Sequence, residues 1–330
     1  MRQANKYQMF WKTPRKLSLP EYTPSFYAVS GGFYGSGIWS NAYENSVVYA
    51  DKWAVGYKGT AIGSLNLRDD TVGIGNFAFY GCNGFTGSLI IPNSVTYIGN
   101  SAFDGCQGFT GSLTIPNSVI TIGNSAFALC IGFTGSLTIP NSVTSIGAAA
   151  FSVCGFTGDL SIPASVLTIG IQPSPNFINQ NLNLSPAFSI NKFDSFIVDA
   201  ANPNYKSVDG MLYNKTGTML IQAPGQISGH VIIPSGVTSI GNSAFSYIVG
   251  FTAVTIPSSV TSIADSAFIN CNDLISVTFL GTIASVNFSS DMFTFHGNLR
   301  EVFYAANPTN GTPGTYMWNG YGGTWEMQTP

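Results

Sequence analysis

The residues most able to do chemistry are cysteines. They recur at a fixed spacing of 24 residues, and one more lies in a later similar stretch: Cys82, Cys106, Cys130, Cys154 and Cys271. A thiolate metal site needs cysteines that converge from different directions in pairs or fours, and nothing in this spacing supplies that. Ile248 occupies the equivalent place in another repeat. The position therefore calls for apolar bulk, and we predict a column of buried thiols rather than a metal site or a disulfide.

The other residue types that could carry chemistry are scattered. His230 and His296 have no acidic or cysteine neighbour in sequence, and the carboxylates Asp194, Asp199 and Asp209 match no calcium-loop spacing. A Ser-His-Asp or Cys-His triad can draw on distant parts of a chain, but here the cysteines belong to the predicted core and the serines are repeated surface positions. No phosphate-binding glycine loop or dinucleotide fingerprint occurs. We predict that the protein is not an enzyme and has no catalytic residue, metal or cofactor.

A repeat positions these residues. Ile-Pro pairs mark a period of 24 residues at Ile91, Ile115 and Ile139, and the same unit returns at Ile233 and Ile256, 23 residues apart. A fixed period between 20 and 50 residues indicates stacked supersecondary units. Each unit runs through Val-x-x-Ile, Gly, Ala-Phe, Cys and a second large apolar residue. The aromatic residues of the Ala-Phe pairs join the cysteines in the predicted core column: Phe103, Phe127, Phe151, Phe245 and Phe268.

Within one unit, the alternating segment SLTIP predicts a half-buried strand that its proline ends. The segment VTSIG predicts a second short extended piece, which glycine stops. The segment NSAF predicts a single short helical turn with Asn or Ser as its cap. No unit has a core of its own, so neighbouring coils must stack to bury their apolar positions.

The ordered pattern L-x-x-I-x-I-P-x-x-V-x-x-I-x-x-x-A-F-x-x-C, repeated from about residue 70 to 280, resembles the BspA-like, or Treponema-type, leucine-rich repeats of bacterial surface proteins. The stretches 202–225 and 311–328 are similar to the longer irregular unit and to the C-terminal finish of such proteins. The resemblance implies a repeat solenoid, a right-handed leucine-rich-repeat superhelix of short β-strands and short helical turns. It also implies extracellular or cell-surface display with adhesion to host matrix proteins or other microbes, which the spacing itself does not show.

Composition divides the chain into three parts. Residues 1–45 are an N-terminal arm or cap that holds five of the 12 basic residues. Residues 46–280 are the solenoid, with an irregular insert at about 170–232 that contains a hairpin signal at Asp209-Gly210. Residues 281–330 are a distorted coil and a cap. No apolar run is long enough for a membrane helix, and the run at residues 9–11 is too short for a secretion signal.

The surface is poor in charge. Charged residues make up 8% of the chain, against about a quarter in ordinary globular proteins. The net charge of −3 lacks the excess of positive charge that indicates nucleic-acid binding. Between residues 71 and 163 the only charged side chains are Asp104 and Asp159. Such a surface suits recognition through neutral hydrogen bonds, and it lacks a common defence against lateral self-association.

These observations favour a non-enzymatic surface or secreted binding protein whose partners are proteins or glycans of a host or a neighbouring cell. Binding would use the concave face, the irregular insert or both. One alternative is a structural protein that self-associates into fibres or layers. A second is an ice-binding solenoid, suggested by a threonine at the same place in each coil: Thr86, Thr110, Thr134 and Thr157. Within the insert, we predict the following binding residues: Asn202, Asn204, Tyr205, Asp209 and Tyr213.

Overall fold

The computed structural model describes residues 33, 35–170, 186–288, 298–320 and 323–328. Three features singled out from the sequence lie outside these residues, namely the N-terminal arm up to residue 32, the loop of residues 171–185, and His296.

The described residues form short strands with few helices. The helices are α1 (Gly37–Asn41) and α2 (Leu299–Tyr304), and a 3-10 helix spans Ser285–Asn287. The strands in chain order are β1 (Ser46–Ala50), β2 (Trp53–Lys58), β3 (Gly73–Ile74), β4 (Tyr97–Ile98), β5 (Thr121–Ile122), β6 (Ser145–Ile146), β7 (Thr157–Ile162), β8 (Thr168–Ile169), β9 (Lys192–Val198), β10 (Tyr205–Val208), β11 (Met211–Asn214), β12 (Met219–Gln222), β13 (Gly229–Ile232), β14 (Ser239–Ile240), β15 (Phe251–Ile256), β16 (Ser262–Ile263), β17 (Ser276–Phe279), β18 (Gly314–Trp318) and β19 (Trp325–Met327).

The VTSIG segments build the first sheet, one short strand per coil. The hairpin β1–β2 begins it, and β3, β4, β5, β6 and β8 follow in parallel. The glycine after each strand is needed for close packing, since a Cβ on Gly99 or Gly123 would lie 2.6 Å from the backbone nitrogen of an asparagine in the preceding coil. The short extended piece stopped by glycine is thus confirmed.

The NSAF segments form turns and not the helical turn that the sequence predicts. Ser101 and Ser125 have φ values of 48° and 52°, in the left-handed region that a helix does not use. Backbone N–H groups bond to the neighbouring coil instead: Phe103 N donates to Ala126 O at 2.8 Å, and Gly105 N donates to Ala128 O at 2.9 Å. Contacts between coils therefore outweigh the local preference for a helix.

The SLTIP segments show the predicted alternation of burial but not always a ladder. Leu89 and Ile91 are buried while Ile90 is 72% exposed. In the early coils, the structure pairs this side of the solenoid only through isolated bridges such as Gly87 with Phe109. Continuous parallel β-ladders form in the later coils, between β7 and β9 and between β13, β15 and β17. The alternation reports which side chains are buried, and it carries no information about pairing between coils.

Aromatic side chains stack along the core from coil to coil. Ring centroids lie 5.2 Å apart for Phe79–Phe103, 5.3 Å for Phe103–Phe127 and 5.4 Å for Phe127–Phe151, with nearly parallel planes. The five phenylalanines assigned to the column from the sequence are all buried. One coil cannot bury these rings alone, so stacking of neighbours supplies the core.

Most buried residues fall into two large clusters that meet at β11, and a small third cluster consists of Val48, Ala50 and Val55 on β1 and β2. Leu212 belongs to the first cluster, while Met211 and Tyr213 belong to the second, which reaches Trp325. β11 pairs with β10 through the turn Asp209-Gly210, which confirms the hairpin signal. At the C-terminal end, β18 and β19 extend the sheet of β17 in antiparallel fashion and bury Tyr316 and Trp325 over the last coils.

Candidate functional site

The side chain of Asn202 is built into the solenoid. It is fully buried, and its Nδ2 donates to Pro163 O at 2.8 Å and to Val166 O at 3.0 Å. Its Oδ1 accepts from the backbone nitrogens of Asn204 and Tyr205, each at 2.9 Å. Every polar atom of this amide thus has a partner within the chain.

Two further candidates in the insert also reach back to the preceding coil. Asn204 Nδ2 donates to Leu167 O at 2.7 Å, and the hydroxyl of Tyr205 accepts from Ile169 N at 2.8 Å. Burial raises the pKa of Tyr205. These side chains take the place of the backbone ladder where β10 follows β8. We name Asn202, Asn204 and Tyr205 the joint.

The remaining two candidates have opposite surroundings. Tyr213 is 1% exposed within the second cluster, and burial raises its pKa well above the ordinary value for tyrosine. Asp209 is exposed at the hairpin turn with φ of 50°. Of the five residues predicted to bind a partner, only Asn204 and Asp209 present exposed side chains, and their binding role stays a prediction.

The cysteines line the interior of the stack. Cys106, Cys130, Cys154 and Cys271 are buried and Cys82 is half-buried, and all five are free thiols. Each of the four buried thiols donates to the carbonyl of the phenylalanine one coil earlier. The Sγ–O distances are 3.0 Å for Cys106 to Phe79, 3.1 Å for Cys130 to Phe103, 3.0 Å for Cys154 to Phe127 and 2.8 Å for Cys271 to Phe245. The thiols are therefore hydrogen-bond donors as well as apolar filling.

Burial makes these thiols poor nucleophiles. Burial raises the pKa of Cys82 to about 11 and that of Cys154 and Cys271 to about 12. The thiolate is the reactive form, so the column has little reactivity near neutral pH. Within the described residues, no group of three or more His, Cys, Asp or Glu could hold a metal ion. His230 is exposed on β13, where Nε2 lies 2.9 Å from Thr255 Oγ1.

One side of the early coils carries rows of exposed small hydroxyl side chains. We call it the hydroxyl face, and its members are Thr86, Ser88, Thr110, Ser112, Thr114, Thr134, Ser136 and Thr138. The sequence drew attention only to the first threonine of each coil. The alternation in T-G-S-L-T could have found the others, because Leu113 and Leu137 point inward and leave their neighbours outside.

Backbone contacts hold the rows in register. Thr110 N donates to Gly87 O and Thr134 N donates to Gly111 O, both at 2.8 Å. The glycine after each threonine is left-handed in the same way, with φ of 78° at Gly87, 78° at Gly111 and 77° at Gly135. Because only glycine takes this conformation at little cost, the corner of each coil is fixed and the hydroxyl rows repeat regularly.

The hydroxyl face is distinguished by unused hydrogen-bonding capacity. None of its hydroxyls has a partner in the part of the chain that the structure describes, and residues 88–91, 112–115 and 136–139 make no backbone hydrogen bond with that part either. The sheet face differs, since Thr96 Oγ1 donates to Val72 O at 3.2 Å and Thr144 Oγ1 donates to Ile120 O at 3.3 Å.

A shallow groove runs between two coils on the hydroxyl face. Its lining includes Ile90 and Asn93 from one coil and Ser112, Thr114 and Pro116 from the next. The only charged residue in its lining is Asp69 at its start. Asp104, the one charge between residues 71 and 158, lies instead after the Ala-Phe turn, where burial raises the pKa of its carboxyl.

The chain is similar to one protein family over most of its length. A family model described as a BspA type leucine rich repeat region matches residues 56–185 and 227–314 in 6 copies. No curated protein matches the chain.

The chain is also similar to solved structures, and one of them shares the fold. The chain is similar to the pneumococcal vaccine antigen PcpA, with a TM-score of 0.54 and 20% identity over 71% of this chain and 55% of that one. A leucine rich cell surface protein from Faecalibacterium prausnitzii A2-165 gives a TM-score of 0.47 and 26% identity over 72% of this chain and 66% of that one. A leucine-rich repeat protein from Bacteroides ovatus ATCC 8483 gives a TM-score of 0.42 and 20% identity over 72% of this chain and 63% of that one. The chain thus spans little more than half the length of the pneumococcal antigen.

Proposed function

The chain belongs to the family of BspA-type leucine-rich repeat proteins, and we propose that it is a non-enzymatic binding protein that is secreted or displayed on a cell surface. It recognises proteins or glycans of a host or of a neighbouring cell. Family membership supports the setting, because the repeats resemble those of bacterial surface proteins. The groups available for recognition come from this chain's own residues.

The observation that carries the proposal is the unused hydrogen-bonding capacity of the hydroxyl face. The thiols, which could act as nucleophiles, are buried or half-buried, as at Cys130 and Cys82. The rows of the hydroxyl face, in contrast, present exposed Ser and Thr without partners among the described residues. Groups that bond weakly and reversibly suit recognition, and their repetition along the solenoid lets several contacts add up.

A binding array tests the proposal. It carries extracellular-matrix proteins, neutral and charged glycans, and the protein itself, and the purified full chain is applied at increasing concentration. Saturable binding to at least one protein or glycan is expected. A chain that stays folded, by circular dichroism, and binds nothing on the array would contradict the proposal.

The insert is tested by substitution and not by deletion. Removing residues 202–225 would also remove Asn202 and Tyr205, whose contacts hold adjacent coils together. The variant Asp209→Lys reverses the charge at the exposed hairpin turn of the insert and leaves the hydrogen bonds of the joint intact. If the insert binds the partner, a new charge there weakens binding while the distant exposed variant Asn272→Lys does not.

Self-association is a second candidate function. The hydroxyl face has no charged side chain among its members, and charge is a common protection of exposed extended segments against pairing with other chains. Light scattering over a wide range of protein concentration tests it. Growth of particle mass with concentration is expected for a structural assembly, and a strict monomer throughout would contradict it.

A further inference from the structure

We infer that the hydroxyl face is a binding surface for neutral polysaccharide chains, which would lie along the rows and insert hydroxyl groups between successive coils. This inference rests on the proposed function and names the ligand class for one surface. Four observations lead to it.

The first observation is where the hydroxyl groups without a hydrogen-bond partner lie. On the sheet face, threonine hydroxyls are bonded within the molecule, as in the 2.8 Å contact from Thr168 Oγ1 to Ser145 Oγ. In the second half of the solenoid, Thr255 and Thr278, which align with Thr114, are bonded as well: Thr255 Oγ1 lies 2.9 Å from His230 Nε2, and Thr278 shares a 2.9 Å hydrogen bond with Thr315. Successive coils with rows of exposed hydroxyls that have no partner among the described residues are seen at residues 86–138.

The second observation is the unpaired backbone beneath the hydroxyls. Residues 88–91, 112–115 and 136–139 are extended and next to one another in successive coils, yet no backbone hydrogen bond joins them in the described structure. The equivalent segments β13, β15 and β17 are fully laddered. Each early coil therefore offers N–H donors and C=O acceptors toward the gap that separates it from its neighbour.

The third observation decides between a peptide and a sugar. These backbone groups lie between coils inside the stack and not along a free edge, so a partner strand could not align with them as it does at an exposed sheet edge. A hydroxyl group is small and both donates and accepts, so it can enter the gap from above. The groove between Asn93 and Ser112 provides such an entry.

The fourth observation concerns charge. No lysine or arginine occurs between residues 71 and 158, so a sulfated or uronic-acid polymer would meet no counter-charge on this face. A cationic polymer would find only Asp69 at one end and Asp159, which already accepts from Ser195 Oγ, at the other. A neutral polysaccharide can hydrogen-bond to the hydroxyl and backbone groups of this face without needing a counter-charge. Its sugar rings repeat along the chain, as the hydroxyl rows repeat along the solenoid.

The test compares two matched triple variants. Thr110→Val, Thr114→Val and Thr138→Val together remove three hydroxyls from the hydroxyl face and preserve side-chain shape. The control Thr96→Val, Thr144→Val and Thr168→Val removes three hydroxyls from the sheet face. Binding of the full chain to dextran, starch, mannan, cellulose and chitin is measured by pull-down and calorimetry, together with heparin as a charged polymer and an extracellular-matrix protein panel.

The inference predicts that at least one neutral polymer binds with little dependence on salt and that the hydroxyl-face variant weakens this binding by roughly tenfold or more. The control variant retains it. The single variant Ser112→Lys, which fills the groove at an exposed position, also weakens binding.

Other outcomes separate the two claims. Binding only to proteins or to heparin, or equal binding by both triple variants, would overturn this inference and leave the proposed function in place. No binding by a folded wild-type chain would overturn both. Shaping of ice crystals by the wild type, lost in the hydroxyl-face variant without any polysaccharide binding, would overturn the inference in favour of an ice lattice as the ligand.

Discussion

The repeated cysteine is a position where one side chain performs two tasks. It fills the core behind the phenylalanine, and its thiol donates to a carbonyl of the preceding coil, as Cys130 does to Phe103 at 3.1 Å. Ile248 occurs in the coil after the insert, where Ala223 rather than a phenylalanine donates to the Ala244 carbonyl. The thiol hydrogen bond is present in the four coils that follow an Ala-Phe turn, whereas Cys82, whose coil follows the β1–β2 hairpin, is a half-buried cysteine without one among the described residues.

The cysteine pKa values make stability depend on alkaline pH. Burial raises the pKa of Cys154 and Cys271 to about 12 from an ordinary value of 9.0. Above pH 9 the unfolded chain loses thiol protons that the folded chain retains, so the stabilisation is complete below about pH 9 and is lost as pH rises toward 12. The free energy of unfolding should fall by up to about 1.4 kcal/mol per pH unit for each buried thiol.

Urea unfolding at a series of pH values from about 8 to about 11 measures this slope. The variant Cys130→Ala is expected to be less stable by about 1–3 kcal/mol at neutral pH and to show a shallower slope. A wild-type stability that does not change above pH 9, or an identical slope in the variant, would show that the thiols do not stay protonated in the core.

Sequence reasoning succeeded for this position only in part. The 24-residue period and the isoleucine at one equivalent site were enough to predict burial. They could not predict the thiol hydrogen bond, because its acceptor is a carbonyl about 27 residues earlier that stacking alone brings within 3.0 Å. The same limit applies to Asn202, whose polar side chain suggested a surface role although its acceptors Pro163 and Val166 lie in another coil.

At the scale of elements, glycine sets the spacing of the coils. Gly123 follows β5, and a Cβ there would lie 2.6 Å from Asn100 N. Asn100 cannot move away freely, because its Oδ1 accepts from Asn124 N and extends a row of asparagine contacts that begins at Asn76. The glycine and the asparagine of adjacent coils therefore fit each other.

The variant Gly123→Ala should accordingly destabilise the protein by about 2–3 kcal/mol, since overpacking forces the backbone of two coils apart. Gly236 is the matched control, because no atom lies within 4 Å of the place that an added Cβ would take and its φ is not left-handed. Gly236→Ala should change stability by less than about 0.5 kcal/mol. Equal melting temperatures for the two variants would argue against the tight fit.

The joint replaces a ladder of backbone hydrogen bonds with side chains. Asn202→Ala removes four hydrogen bonds from a fully buried amide and leaves carbonyls without partners, so a loss on the order of 3 kcal/mol is expected. Asp209→Asn, on the exposed turn of the same insert, should stay within about 0.5 kcal/mol of the wild type. Urea denaturation of both variants measures these changes, and an Asn202→Ala protein as stable as the wild type would show that the hydrogen bonds of Asn202 do not hold the coils together.

The whole molecule is a solenoid whose proposed recognition groups differ from the groups that hold its coils together. The apolar column and the hydrogen bonds of the sheet face hold the coils together, and β11 joins the two buried clusters through Leu212 on one side and Met211 on the other. The exposed side chains of the hydroxyl face add no hydrogen bond to this cohesion among the described residues, whereas Leu113 and Ile115 beneath them belong to the buried core. A ligand can therefore bond to these hydroxyls without breaking a contact that holds the coils together.

The period and the family resemblance predicted this architecture because each coil repeats the same local pattern. They could not distinguish the early coils from the later ones, where Thr255 and Thr278 lie in paired strands. The difference lies in whether this segment pairs with the same segment of the next coil, and the pattern T-G-S-L-T does not contain that information.

Hydrogen–deuterium exchange of the full chain, with and without the polymer that binds best, shows whether the polymer binds to the hydroxyl face. In the free protein, amides at residues 89–91 and 113–115 should exchange fast, while those of β4 and β5, within their ladder, exchange slowly. Bound polymer should slow exchange in 88–91, 112–115 and 136–139 and leave the joint unchanged. Protection confined to the insert or the sheet face, or slow exchange of these segments before any ligand is added, would contradict the account.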